Sequence, residues 1–233
     1  GPDGGVYVAD WSDTGECHDS TGVHRTSGRI YKITHGEPKR PAVTDLTKLS
    51  VNELVHLHTH SNEWFVRQAR LQLIERTGGQ DTLKEAVMGL GMFSYRDKDT
   101  VHQLRALWSL HAILRNSGSV LWEKLSHPNE HIRAWAVRLL SETWALDTVM
   151  SETPRYAGVR LGAGAAPDPN LLKTLERMAK SDPSALVRLA LASTLQRLPI
   201  TQRTSLAAAL VAHKEDTADH NLPALIWYGL IPV

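Results

Sequence analysis

The spacing of apolar residues changes near residue 44, and the change divides the chain into two regimes. Before it, Val6 to Trp11 is a short β-rich run, and Gly28 to Ile33 alternates with a period of two. The turn-forming sequence GPDG precedes the first run. These patterns predict two strands joined by a long polar loop. Because an isolated strand pair is only marginally stable, it is expected to pack on another element.

After residue 44 the apolar residues recur at helical spacing, and the pattern repeats. Three stretches align, beginning at His60, His127 and Asp182. Each contains a turn, an apolar residue followed by arginine, and then small and large apolar residues. The predicted helices lie near 50–60, 63–77, 81–94, 99–115, 118–126, 130–147, 170–181, 184–197 and 201–213, and another begins near 221. A stretch near 151–169, rich in glycine, alanine and proline, is predicted to be an insertion loop.

Residues with capping and packing chemistry support these helices. The predicted N-caps are Asn62, Asn129 and Asp182, and Pro128 and Pro183 are predicted to start helices. Small residues are expected where helices approach closely, and larger ones in the layer between them: Ala69, Ala190, Leu73, Ile74, Leu139, Leu140 and Leu195. Because one repeat cannot bury its own apolar face, neighbouring repeats are expected to stack.

The repeating unit resembles the HEAT repeat family, whose second helix carries the Val-Arg pair seen at residues 66–67 and 187–188. The resemblance covers about residues 44–233. It implies an all-α fold, a HEAT-like α-solenoid of about five helix pairs, with a short N-terminal β-strand pair. The implied domains are a β-propeller blade remnant over 1–36, a linker over 37–43 and the helical array over 44–233.

A wider resemblance rests on the order of these segments. GPDG, the YVADW run, the GRIY run and a C-terminal NLPALIWY segment follow one another as in large membrane-bound dehydrogenases of planctomycete and verrucomicrobial genomes. In that family a sorbosone/glucose-dehydrogenase-like propeller precedes the helical repeats. The resemblance implies a parent protein that uses pyrroloquinoline quinone with calcium and haem c, in the periplasm or at the bacterial cell surface. The chain is therefore expected to be a fragment, with no cofactor of its own and no CxxCH motif.

Composition narrows the partner classes. Lysine and arginine number 26 and aspartate and glutamate 25, so the net charge is +1. Near-neutrality argues against a nucleic-acid partner, since such proteins carry a basic surface. The chain has no run of about 18 apolar residues, so no membrane span is expected. The single cysteine, Cys17, cannot form an internal disulfide.

The loop between the predicted strands is the first candidate for chemistry. Asp10, Asp13 and His18 are the proposed metal ligands, because carboxylates and imidazole so close together could hold calcium or a transition metal. The alternative is that these are solvated loop residues whose carboxylates bond the backbone of the turn.

Histidines form the second candidate. On a helix His56 and His60 lie one turn apart, which is the spacing of a two-point metal clamp. A structural role is the alternative, since His60 aligns with His127 at the start of a turn. The tryptophans could form an aromatic binding surface, but helical spacing favours core packing for Trp64, Trp108, Trp122, Trp135, Trp144 and Trp227.

Arginines recur in register with the repeats and are the predicted interaction residues: Arg67, Arg105, Arg133 and Arg188. In a stack of repeats, such an arginine bonds the turn or carboxylate of a neighbouring repeat and forms a ladder. The alternative is an anion-binding stripe along one face of the array.

The function predicted from these features is a non-catalytic helical-repeat scaffold or protein-interaction module from a larger dehydrogenase. On its own the chain is not expected to be an enzyme. One alternative is that loop 10–24 contributes a metal or cofactor edge to a propeller oxidoreductase active site. A second is a HEAT-like nucleic-acid-processing protein, which requires a basic groove.

Overall fold

The computed structural model describes residues 1–10, 28–38, 41, 43, 45–76, 78–114, 117–146 and 167–233, and the backbone of residues 155–156 and 159–160. It is mostly helical, with a short antiparallel strand pair near the N-terminus. The chain forms two compact units, residues 1–113 and 114–233.

The predicted strand pair is confirmed. β1 (Val6–Ala9) pairs antiparallel with β2 (Ile30–Ile33), so that Val6 lies opposite Ile33. All eight strand residues are exposed, so no core covers either face of the pair within the described part of the chain. The turn before β1 is attached to the helices by Asn62, whose side-chain amide donates a hydrogen bond to the carbonyl of Gly1 at 3.0 Å.

Unit 1 contains four helices among its described residues: α1 (Val51–His56), α2 (Glu63–Arg76), α3 (Gln80–Arg96) and α4 (Thr100–Ile113). A 3-10 turn, Leu57–Thr59, continues α1, as the prediction of one helix over 50–60 implies. Each helix packs on the next along the chain. In addition, α1 packs on α3 and α2 packs on α4.

The described part of unit 2 contains six helices: α5 (Gly118–Lys124), α6 (Glu130–Ser141), α7 (Pro169–Ser181), α8 (Ala185–Thr194), α9 (Arg203–Val211) and α10 (Leu222–Leu230). Here α6, α8 and α10 form one packed row, and α7 packs on α9. Within the predicted insertion, β3 (Arg155–Tyr156) pairs antiparallel with β4 (Val159–Arg160), a hairpin that the sequence pattern did not indicate.

The helix starts follow capping chemistry, with two corrections. Asn129 caps α6 as predicted, because its side chain accepts a hydrogen bond from the backbone N–H of His131. Asp182 was predicted to cap α8, but Ser184 does so, and Asp182 lies in the preceding turn. Pro128 and Pro183 likewise precede the caps, so their prediction as first-turn residues is wrong.

The cores contain most of the residues predicted from helical spacing. Ala69, Leu73 and Leu195 are fully buried and Ala190 is nearly so, whereas Ile74 is 42% exposed. Of the tryptophans, Trp144 is buried as predicted, but the core prediction is wrong for Trp122 and Trp227. Trp64, Trp108 and Trp135 are half-buried.

At Gly229, α10 lies close to the fully buried side chain of Leu195. A Cβ atom added at this residue of α10 would lie 2.5 Å from the Cβ of Leu195. Leu195 is itself fully buried, so it has no open space into which to move. By contrast, a Cβ added at Gly91 of α3 would meet no atom within 4 Å.

We therefore expect Gly229→Ala to lower the free energy of unfolding by about 1–3 kcal/mol, because overpacking outweighs the gain in helix propensity. Gly91→Ala is the matched control and should raise it by roughly 0.5–1 kcal/mol. Urea denaturation of both variants checks this, and a Gly229→Ala protein as stable as the wild type contradicts it.

Candidate functional site

The three aligned stretches begin with residues that play the same role. The Nδ1 atom of His60 accepts a hydrogen bond from the backbone N–H of Asn62 at 2.9 Å. The Nδ1 atom of His127 accepts one from Asn129 at 3.1 Å. In the third stretch, a carboxylate oxygen of Asp182 accepts the N–H two residues later at 3.0 Å. The structural interpretation of His60 and His127 is thus confirmed: each supports the turn before a helix.

Two of the predicted arginines bind carboxylates of the following repeat in unit 2. Arg133 of α6 grips Asp182 through Nε and Nη2, both at 2.8 Å. Arg188 of α8 binds Asp216 in the same bidentate geometry, with Nε at 2.5 Å and Nη2 at 2.6 Å from the carboxylate oxygens. Each fork satisfies both carboxylate oxygens, which is the strongest geometry for this pair. The neighbouring carboxylates raise the pKa of both arginines, Asp182 for Arg133 and Asp216 for Arg188.

The same arginines also bind the turns of their own helices. Nη1 of Arg133 donates to the carbonyl of His127 at 2.9 Å, and Nη1 of Arg188 donates to the carbonyl of Asp182 at 2.9 Å. The carboxylate of Asp182 therefore accepts hydrogen bonds from Arg133, and its backbone carbonyl accepts one from Arg188. The result is a continuous ladder from α6 through the turn before α8 to Asp216.

Unit 1 departs from this register. Arg67 is the fifth residue after Asn62, whereas Arg133 is the fourth after Asn129. One residue rotates a side chain by about 100° around the helix. The buried position in α2 is accordingly taken by Val66, and Arg67 is exposed. The carbonyl of His60 is instead bound by Arg105 of α4, at 3.1 Å from Nη1.

We expect Asp216→Asn to lower the free energy of unfolding by about 3 kcal/mol, because it leaves the buried guanidinium of Arg188 without its carboxylate. Glu215→Gln is the control, since Glu215 contacts the same guanidinium at 3.5 Å but is exposed to solvent. Its thermal unfolding midpoint should stay close to that of the wild type. Equal effects of the two substitutions in thermal unfolding would show that the ladder does not stabilise unit 2.

A buried polar network in unit 1 joins the end of α1 to α4 and α2. Nδ1 of His58 lies 3.2 Å from the carbonyl of Leu54 and 3.1 Å from that of Val55, so it carries the proton. Nε2 therefore accepts the hydroxyl of Ser109 at 2.7 Å. The Ser109 oxygen in turn accepts a hydrogen bond from Nε of Arg70 at 2.9 Å. Burial lowers the pKa of His58 to about 4, so the ring is neutral at neutral pH.

The Ser109–His58 pair has the hydrogen bond that an activated serine nucleophile requires. Both side chains are fully buried, however, and no substrate can reach the hydroxyl in this conformation. The ring is oriented by two helix carbonyls rather than by a carboxylate. The arrangement therefore links α4 to the end of α1 and does not form a site for acyl transfer.

The depressed pKa of His58 predicts a pH dependence of stability. Its folded-state pKa of about 4 lies below the ordinary value of 6.5, so its contribution is complete above pH 6.5 and is lost as the pH falls towards 4. The shift corresponds to about 3 kcal/mol. In urea denaturation, the stability difference between wild type and His58→Gln should shrink by that amount between pH 7 and 4.

His56→Gln is the matched control for this measurement, because it removes an exposed imidazole from the same helix. A stability difference between wild type and His58→Gln that does not change with pH would contradict the buried neutral ring.

The predicted metal ligands are only partly within the described residues. Asp13 and His18 lie outside them. Asp10 follows β1, its backbone N–H donates to the carbonyl of Arg29 at 2.7 Å, and its carboxylate lies 3.9 Å from the Arg29 guanidinium. His56 is exposed, while the ring of His60 packs on Phe65 with the centroids 4.5 Å apart. The described residues contain no group of three or more metal-ligating side chains.

The sequence interpretation missed an apolar groove in unit 2. It lies among α9, the 3-10 turn Lys214–Ala218 and α10, and encloses about 370 Å³. Its apolar lining consists of Leu210, Val211, Leu222, Pro223, Ile226, Trp227 and Leu230. Trp227 is 64% exposed and Val211 is 63% exposed. The sequence did not indicate the groove, because the continuous apolar run of α10 is typical of a helix that is buried on all sides.

Comparison with known proteins adds no assignment. No protein-family profile matches the chain, and no curated protein matches it. Among the described helices, none has the length and apolar character needed to cross a membrane. The functional argument therefore rests on the ladder, the buried network and the groove.

Proposed function

We propose that this chain is a non-catalytic helical-repeat module that binds another protein through the apolar groove of unit 2. The observation that carries the proposal is the exposure of Trp227 and Val211 beside a preformed apolar cavity. Large exposed apolar surfaces of this kind mark interaction sites in soluble proteins. The same surface would be an aggregation risk if nothing covered it.

The packing of the helices supports a HEAT-like solenoid within each unit. Alternate helices stack on one another, as α6, α8 and α10 do, and consecutive helices pack as pairs. The ladder from Arg133 to Asp216 repeats the same contacts from one pair to the next. A scaffold of stacked pairs presents its terminal faces and loops to partners, and its polar groups are engaged in holding the stack.

An amphipathic helix of the partner is the occupant that fits best. The groove lies between two helices and has an apolar lining, and apolar grooves of this kind accept the apolar face of an amphipathic helix. Trp227 supplies a large, rigid contact of the type that dominates interface energetics. Lys214 lies exposed at the rim, so an acidic residue on the partner helix would complement it.

We further propose that the module belongs to a larger dehydrogenase at the bacterial surface or in the periplasm, with residues 1–36 as the last strands of a propeller blade. The antiparallel register of β1 and β2 and the exposure of all their residues support this origin. The gene sequence flanking the chain tests it: propeller strands are expected upstream and a CxxCH motif downstream. Flanking sequence that encodes neither would contradict the proposed parent.

The partner can be captured by placing a photo-crosslinking amino acid in the source cells at Val211, which is exposed in the groove lining, so that Trp227 is kept. With that partner purified, Trp227→Ala should weaken binding about tenfold or more in isothermal titration calorimetry, because a central anchor is removed. Thermal unfolding should change little, since the side chain is exposed. Trp122→Ala, on an exposed tryptophan of the same unit, is the control and should bind normally. Unchanged affinity of Trp227→Ala refutes the groove as the site.

A further inference from the structure

Another pocket of unit 2 lies between the turn before α6 and the end of α7, and it encloses about 350 Å³. One wall comes from residues 126–128 of the turn, and the other from Arg177, Met178 and Ser181 of α7. The pocket is open to solvent and shares no lining residue with the apolar groove. It is therefore a separate place where a ligand can enter.

His127 provides an N–H group to this pocket. Its Nδ1 atom accepts the backbone N–H of Asn129 at 3.1 Å, so in the neutral ring the proton lies on Nε2. Nε2 has no partner in the described part of the chain, and it keeps contact with solvent. Burial, together with the positive charges of Lys124 and Arg133, lowers the pKa of His127. The ring is thus a neutral donor in positively charged surroundings.

Arg133 and Asp182 also line the pocket, and they compensate each other. Both carboxylate oxygens of Asp182 are bound by Arg133 at 2.8 Å, and one of them also accepts the backbone N–H of Ser184. Nη1 of Arg133 donates to the carbonyls of His127 and Pro128, both at 2.9 Å. The aspartate is therefore saturated, and its charge is balanced before a ligand arrives.

Arg177 supplies the uncompensated charge. Its guanidinium is exposed, and it forms no ion pair and no hydrogen bond with any described residue. The lining holds two arginines and one aspartate, so a positive charge is left over.

The end of α7 could repel an anion, because helix C-termini carry a partial negative charge. Its carbonyls are already bound, however. The carbonyl of Arg177 accepts the hydroxyl of Ser181 at 2.9 Å, that of Met178 accepts the N–H of Asp182 at 2.8 Å, and that of Ala179 accepts Nε2 of His213 at 2.8 Å. These bonds reduce the repulsion, and the charge of Arg177 prevails.

We propose that this pocket binds a phosphate monoester, with Arg177, the Nε2–H group of His127 and the hydroxyl of Ser126 as donors. A phosphate presents three acceptor oxygens in different directions, which suits donors from two walls better than a planar carboxylate does. Pro128, Met178 and Pro183 add apolar surface that can contact the carbon chain of an ester. The site does not depend on the apolar groove, and each proposal can fail alone.

The test titrates the full chain at constant ionic strength with inorganic phosphate, acetyl-phosphoserine amide, acetyl-serine amide and acetyl-glutamate amide. Ring ¹H–¹⁵N NMR spectra should show His127 protonated on Nε2. Both phosphates should shift the Nε2 signal and raise the pKa of His127 by about 1, because a nearby anion stabilises the imidazolium. The serine compound should do neither, and the glutamate compound should bind more weakly. Tighter binding of phosphoserine than of phosphate supports a phosphorylated side chain as the source, and the reverse supports free phosphate.

Arg177→Gln should weaken the binding of both phosphates about five- to tenfold, because it removes the uncompensated charge. Its thermal unfolding should stay close to that of the wild type, since the side chain is exposed. Arg138→Gln removes an exposed arginine of α6 outside the pocket and should bind normally. The exposed His131 is the internal control, and its pKa should not respond to phosphate.

Four results would each overturn the proposal: a neutral His127 ring protonated on Nδ1, a pKa of His127 that phosphate leaves unchanged, an equal loss of affinity in Arg138→Gln, or glutamate that binds as tightly as phosphoserine.

Discussion

The turns between helices carry backbone carbonyls that no helix can satisfy, and the structure depends on arginines to bind them. Buried carbonyls without a donor would cost more than any single apolar contact contributes. An arginine suits this position because its fork can bind a carbonyl and a carboxylate at once. The arginines that bind turn or helix-end carbonyls are Arg76, Arg105, Arg133, Arg188, Arg197 and Arg203. Even Arg203, which is fully buried, is accommodated in this way.

This constraint explains why so much apparent chemistry in the chain is structural. The histidines at the turns act as hydrogen-bond acceptors for the following backbone, and Asp182 does the same with a carboxylate. His58 and Ser109 join two helices in a place that solvent does not reach. What remains for recognition is the surface that the stack leaves uncovered, which includes the groove at α9 and α10.

A single residue distinguishes the two units in this respect. In α6 and α8 the arginine is the fourth residue after the cap, and it reaches both its own turn and the next carboxylate. In α2 the arginine comes one residue later, so it points to solvent and the turn is bound by Arg105 from α4. The same repeat thus provides a closed ladder in one unit and an excess of positive charge in the other.

The sequence by itself determined the helices, the strand pair and the turn residues, because these follow from spacing and from capping chemistry that act within a few residues. It predicted α2, α4, α7 and α8 within a few residues of their observed bounds, and it indicated the shared role of His60 and His127. Only the tertiary structure decided which arginine fork is filled and which apolar side chains remain exposed. The one-residue offset of Arg67 is visible in the sequence, but that Arg105 binds the turn in its place is not, and Trp227 matches a core pattern but faces a groove. Both outcomes depend on which distant part of the chain packs against a residue, and the spacing of apolar residues does not reveal that neighbour.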